Sequence, residues 1–198
     1  MNGDKEYQMI QSHRIYLYGN ADKGQVCLIP LEESHLPYLI KWNQDREILR
    51  WIETEDKEMM TEEEIITLYR KAAQSSFCFL ILCDHVPIGE CWLQPMDIPE
   101  IINSFPGQDI RRIDLMLGER RYHGGGIGTE VVRLLTEFTF EQQRADILYN
   151  FVLEENFASR KIFLNNGYRI DGYSSVGTEG KEKQICHYIL RREDYFSA

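Results

Sequence analysis

The chain predicts a mixed α/β domain, and three observations carry that prediction. Ahead of and through the stretch Asp114 to Phe140, a short apolar run, Ile113 to Leu117, leads into Gly124, Gly125, Gly126 and Gly128. Apolar residues then recur at Val131, Leu134, Leu135 and Phe138, so the layout is strand, glycine loop, helix start. Short apolar runs alternate with helical spacing along most of the rest of the chain. The crossover that follows Leu117 implies a parallel strand pair in the middle of the sheet.

The elements follow in order. His13 to Tyr18 and Gln25 to Leu31 flank the turn Gly19 to Gly24 and read as a hairpin, or as one strand after a tail. A helix is expected from Glu32, with Leu36, Leu39, Ile40 and Trp42 on one face, and a second short helix over Asn43 to Ile52, ending near Trp51. Thr61-Glu62-Glu63-Glu64 is a capping box opening a helix with Ile65, Leu68 and Ala72 inward. Phe77 to Cys83 and Val86 to Gln94 are strands joined at Asp84-His85. Pro95 to Asp109, with three prolines and a glycine, reads as a long irregular loop. Ala145 to Leu153 is a buried strand. Asn156 caps a helix carrying Ile162 and Phe163, and Gly167 stops it. Tyr168 to Val176 and Gln184 to Arg191 are strands around the turn Gly177 to Lys181.

Length and composition set bounds. A chain of 198 residues, 43% hydrophobic and 27% charged, suits one globular domain. The expected organisation is a flexible tail at 1–12 and a single domain over 13–198. No run is long enough to span a bilayer. Met1 to Ser12 lacks an apolar signal segment, so a cytoplasmic protein is expected. The five cysteines, Cys27, Cys78, Cys83, Cys91 and Cys186, show no Cys-x-x-Cys spacing and read as reduced core thiols, with no metal site. A net charge of −10 disfavours nucleic acid and suits a cationic small molecule, or solubility alone.

The glycine stretch has a chemical use. The first amides of a helix lack partners inside it and carry the positive end of its dipole, and glycines let backbone approach an anion. The result is either a cradle for a phosphate or diphosphate, or a tight turn whose glycines serve geometry alone. Thr129 stands where a dinucleotide fingerprint needs its third glycine, and no Gly-Lys-Ser/Thr follows.

His123-Gly124-Gly125-Gly126-Ile127-Gly128 resembles the acetyl-CoA loop of the GNAT superfamily of N-acetyltransferases, Gln/Arg-x-x-Gly-x-Gly/Ala, with His123 at the Gln or Arg position. Asn156 to Tyr168 is similar to the second signature of that superfamily, an Asn-capped helix closing on Gly-Phe/Tyr. Together they span a resemblance from about Ile29 to Leu190. It implies a central mixed sheet of about seven strands flanked by helices and splayed between strands 4 and 5, with acetyl-CoA in the cleft and no metal. The implied cofactor contacts are the backbone of Leu115, Met116 and Leu117, then His123, Gly124, Gly125, Gly126, Ile127, Gly128 and Thr129, and Asn156, Ser159 and Phe163. Phe163 stands where many members carry a Tyr that protonates the leaving thiolate.

Within the superfamily the chain looks most like aminoglycoside 6′-N-acetyltransferases. Arg46 to Trp51 matches an aromatic-ended substrate helix, Ile113 to Glu119 a strand with an inward Asp, and Gly126 to Thr129 the local loop. This implies acetylation of an aminoglycoside amine, conferring resistance, by a monomer or homodimer. Asp114 is then the catalytic residue, orienting the ammonium and taking its proton; its alternative is an ion pair with Arg111 or Arg112. Trp51, Glu90, Trp92, Gln94, Asn150 and Glu154 join Asp114 on the substrate side, with a buried core role as the other reading of Trp92. The family's second Asp is absent here, its place taken by Phe151 beside Asn150. The alternatives are another acceptor, such as a protein N-terminus, a polyamine or another small amine, or a module that binds acetyl-CoA without turnover.

Overall fold

The computed structural model describes residues 10, 13–51, 59–177 and 182–197. Its strands are β1 (Leu17–Ala21), β2 (Gly24–Pro30), β3 (Phe77–Cys83), β4 (Val86–Pro95), β5 (Ile110–Leu117), β6 (Ile147–Leu153), β7 (Arg169–Val176) and β8 (Lys183–Arg191). They form one sheet in the order β1-β2-β3-β4-β5-β6-β8-β7. Eight strands replace the expected seven or so because the N-terminal hairpin contributes two, so the splay falls between the fifth and sixth strands. At Asp84-His85 both φ angles are positive, 47° and 65°, which suits the twist of a tight hairpin.

The helices are α1 (Leu36–Asn43), α2 (Arg46–Leu49), α3 (Glu62–Ala72), α4 (Pro99–Ser104), α5 (Ile127–Glu137), α6 (Phe157–Asn165) and α7 (Arg192–Ser197). Thr61 caps α3 through the reciprocal Thr61–Glu64 box, as its sequence signature requires. The helix expected from Glu32 opens as a 3₁₀ turn, Glu33–His35, before α1. The loop expected over Pro95 to Asp109 contains α4, because Pro99 sits in the first turn, where a missing N–H costs nothing. Of the tail expected at 1–12 only Ile10 is described, and it is anchored: it is buried, and its N–H donates to Glu33 Oε1 at 3.1 Å. Most of the turn expected at Gly177 to Lys181 lies outside the described residues.

Two layers cover the sheet. On one face α5, the π-helical turn Phe138–Gln142 that follows it, and α6 bury Val131, Leu134, Leu135, Phe138 and Phe163 against Val26, Phe79, Ile81, Cys91 and Ile113. On the other, α1 and α3 bury Leu39, Trp42, Ile65 and Tyr69 against Cys78, Leu80 and Met116. Each such side chain contributes roughly 1.5–3 kcal/mol when taken from water. All five cysteines are free thiols, and four of them are buried. No described helix is long and apolar enough to cross a membrane.

The feature that positions the site is where β5 and β6 part. They pair in parallel only at Ile110–Ile147 and Arg111–Leu148. Beyond Arg111 the ladder stops. Asn150 bridges the widening gap, its Nδ2 donating to Ile113 O at 2.7 Å while its Oδ1 stays buried without a hydrogen-bond partner.

Candidate active site

The glycine loop stands at the mouth of this opening. Gly126 is the N-cap of α5 and takes a φ of 76°, a left-handed value that a side chain resists. It turns the chain so that the first amides of α5 face outward, unpaired within the helix. Gly128 serves a different purpose: a Cβ there would lie 2.6 Å from Ile162 Cδ1, so its absence lets α5 and α6 approach closely. Asn166 Nδ2 donates to Thr129 O at 3.1 Å and ties the same two helices together. His123 is exposed, yet its Nε2 lies 3.0 Å from Leu117 O, so its ring holds the loop against the end of β5.

Lys23, on the β1–β2 turn, was invisible as a site residue in the sequence. Its Nζ donates to Arg121 O at 2.6 Å and to His123 O at 2.8 Å. Two loop carbonyls are thereby fixed toward Lys23. Its stem packs over Gly125, where any Cβ would strike it. Nothing in the spacing of residues 19–24 signals a contact some hundred residues away.

Asn156 caps α6, its Oδ1 accepting from Ser159 N at 3.0 Å, as expected. Its Nδ2 donates to Trp51 O at 3.2 Å, so one side chain joins α6 to the segment after α2. Trp51 lies just past the end of α2 rather than within it. Its ring is partly exposed, with the Arg50 guanidinium 4.8 Å from the ring centroid. Asp45 pairs with Arg120 at 3.0 Å, and Trp42 Nε1 donates to Glu119 at 3.1 Å, which fastens α1 and α2 to the exit of β5. Residues 52–58, which include the end of the helix expected to reach Ile52, lie outside the described residues.

Phe163 belongs to the core. It is 5% exposed, stacked on Tyr188 with centroids 5.7 Å apart and edge-on to Tyr168 at 5.1 Å. The resemblance implied a cofactor contact for it; among the described residues its ring packs with the aromatic cluster beneath α6. Ser159 is half-buried on the first turn of α6, and Glu154 is exposed beyond β6.

Across the opening, Asp114 and Phe151 each stand four residues along from the paired Ile110 and Ile147 and share a sheet face. The side chain of Asp114 is 48% exposed. It accepts from Gln94 Nε2 and from Arg112 Nε at 3.3 Å. The pairing foreseen as its structural role is therefore present and still leaves the carboxylate open on one side. Phe151 packs edge-on to His187 at 4.9 Å, an apolar wall facing an acid.

Glu90 and Trp92 lie under Asp114 on β4. Tyr69 packs edge-on to Trp92 at 5.2 Å, the core packing that was the other reading of this ring, and Trp92 stands opposite Asp114 on the ladder. Glu90 is 6% exposed and pairs with no cation among the described residues. Burial, reinforced by the Asp114 charge and partly opposed by Tyr69 and Trp92, pushes its carboxyl up to about 8. An acid whose folded pKa is raised binds more protons folded than unfolded between about pH 5 and 8. Stability then falls as pH rises through that window. Glu90→Gln is expected to raise Tm at pH 8, by an amount that shrinks toward zero near pH 4; differential scanning calorimetry at both values checks this. An equal gain at both pH values would remove buried charge as the cause.

The residues present fit acetyl-CoA. The unpaired amides of α5 suit its diphosphate, and the interrupted ladder with the buried, unpartnered Asn150 Oδ1 suits its amide-bearing arm. Among the described residues no set of three His, Cys, Asp or Glu side chains stands together for a metal.

A family model described as "Acetyltransferase (GNAT) domain" matches residues 25–169. An N-acetyltransferase 9-like protein of Caenorhabditis elegans is 26% identical over 163 residues, covering 77% of this chain and 79% of that one. Among solved structures, an aminoglycoside acetyltransferase AAC(6')-Ib in complex with coenzyme A and kanamycin superposes with a TM-score of 0.68 at 19% identity. It covers 87% of this chain and 98% of that one. A spermidine N-acetyltransferase from Vibrio cholerae, in complex with CoA and spermine, superposes at 0.70 with 17% identity over 86% and 98% of the two chains. At these identities the two structures show the shared fold.

Proposed function

The chain belongs to the GNAT acetyltransferase family, and from that premise we propose that it transfers acetyl from acetyl-CoA to the primary amine of a cationic acceptor, the 6′-amine of an aminoglycoside, seated beside Asp114. The observation that carries this is the open Asp114 carboxylate on the wall of the β5–β6 gap, where the thioester of a bound acetyl-CoA arrives. Acetyl-CoA supplies the activated acyl group. The chain's own groups do the rest. The amides of α5 and the Lys23-shaped loop hold the diphosphate. Backbone N–H groups near Leu115 to Leu117, freed where the ladder stops, polarise the acetyl carbonyl. Asp114 attracts the ammonium and relays its proton, because only the neutral amine attacks. Holding both reactants in one cleft adds proximity. Phe163, buried, gives no proton to the thiolate, which is already a fair leaving group.

A second acceptor class is favoured by Phe151. The wall opposite Asp114 carries an aromatic ring where a second carboxylate would suit a polycation with several closely spaced amines. A protein N-terminus, which presents a single ammonium, needs only the one acid, and spermine serves as the polycationic comparison. The test is thiol release from acetyl-CoA with kanamycin, spermine and a short peptide, with mass spectrometry of the products. Release with kanamycin supports the first reading. Release only with spermine or peptide transfers the activity to that acceptor. Binding of CoA with no release from any amine would mark a module that binds without turnover.

A further inference from the structure

Glu90 is a buried acid with no cation beside it. On the β4–β5 ladder Trp92 stands opposite Asp114 and Glu90 opposite Met116. Glu90 and Asp114 are therefore diagonal neighbours on one face, at a spacing of about 7–8 Å that long side chains bridge. Glu90 Oε2 and Trp92 Nε1 are both buried without a hydrogen bond of full geometry, so Tyr69 and Trp92, which lie close to the carboxyl, steady its charge only in part. The titratable and charged groups around Glu90 are Tyr69 from α3, Cys78 from β3, Cys91 on its own strand and Asp114 from β5. The Tyr69 hydroxyl accepts from Asn43 Nδ2 of α1 at 2.8 Å. Arg112, the cation nearest Asp114, is shared between Asp114 and Asp97, 3.0 Å from the latter. A buried carboxyl oxygen left unpaired beside a second acid is stable in one of two conditions. Either the pair carries a proton, or a cationic guest sits with it.

Resting on the amine-acceptor reading above, we propose that Glu90 and Asp114 hold one proton between them while the acceptor is absent and give it to solvent when a primary ammonium group docks beside them. Glu90 is thus a proton-holding residue that acts through Asp114. The raised carboxyl of Glu90, held up first by burial and then by the Asp114 charge, runs in the direction this requires.

The protons balance. Docking of R–NH₃⁺ expels the Glu90 proton, and the ammonium then returns one proton to the pair, leaving R–NH₂. Its lone pair forms the N–C bond to the acetyl carbonyl while the C–S bond breaks. The remaining excess proton on nitrogen passes to the departing sulfur. The products are the amide, CoA thiol and the pair with its proton restored. The single proton that the overall reaction delivers to water therefore leaves at the binding step, not after acyl transfer.

Two measurements test this on the whole protein. The first is the infrared difference between wild type and Glu90→Gln, without any amine. A protonated carboxylic C=O band is expected in wild type at pH 7, lost as pH rises past about 8 and missing in the variant. The second is calorimetric titration of the CoA-saturated protein with kanamycin and with spermine at pH 7, in phosphate and in Tris. The heat difference between buffers should report close to one proton released per amine bound in wild type and close to none in Glu90→Gln. A missing band, or amine binding without proton release, overturns the inference. If neither amine binds, the acceptor reading falls and takes this inference with it, and an intact band tells that failure from the other.

Discussion

Asp114→Asn is expected to lower kcat about 100-fold or more, while the KM for acetyl-CoA stays within about twofold. The argument is geometric. Asn fills the same volume and still offers one oxygen to Gln94 Nε2 or Arg112 Nε, so β5 and its neighbours are undisturbed. What disappears is the negative charge on the wall of the gap. Without it the ammonium is neither drawn in nor stripped of its proton, and the fraction of reactive neutral amine at pH 7 falls. The contacts proposed for acetyl-CoA lie elsewhere, on the amides of α5 and the glycine loop. Raising the pH should restore part of the lost rate, because solvent then deprotonates the amine. Steady-state kinetics against each substrate, at pH 7 and pH 9, separates the cases. A matched rise in the KM for acetyl-CoA would make Asp114 a structural residue held by Arg112.

Gly126→Val is expected to raise the KM for acetyl-CoA at least about tenfold and to lower stability by about 1–3 kcal/mol. Space does not forbid the change: a Cβ at 126 meets nothing closer than 3.9 Å. The cost lies in the backbone, because a β-branched residue resists a φ of 76°. To relieve it the loop must rotate, and the first amides of α5 lose their shared direction. Gly126→Asn is the informative partner, since Asn tolerates the left-handed region, and it should retain most of the affinity. Equal loss in both variants would place the fault in crowding. Isothermal titration with CoA and a thermal melt measure the two effects.

What the sequence disclosed depended on range. The strand, glycine loop and helix from Ile113 onward, the Thr61–Glu64 box and the Asn156 cap are local devices whose partners lie within a few residues. Lys23 reaching the carbonyls of Arg121 and His123, and Asn150 crossing to Ile113, are products of strand order and leave no local trace. Composition misdirected the reading at Pro99, where proline starts a helix instead of extending a loop. The orientation of the Phe163 ring, onto Tyr188 and Tyr168, was likewise hidden, because matching a residue to a family place says nothing about which way its ring turns. The charge on Glu90 was another blind spot: its strand face was evident, but the absence of any cation around it is a property of α3, β3 and β5 together.

Asn156 does two jobs with one amide, capping α6 through its oxygen and gripping Trp51 through its nitrogen. Any shift of α6 is thereby transmitted to the segment after α2, the rim proposed to meet the acceptor. On the proposed reading this couples the two substrates mechanically, and an ordered sequence with acetyl-CoA entering first is the expected result. A lesion at this joint would register as a fault in acceptor capture even though it sits on the cofactor's helix.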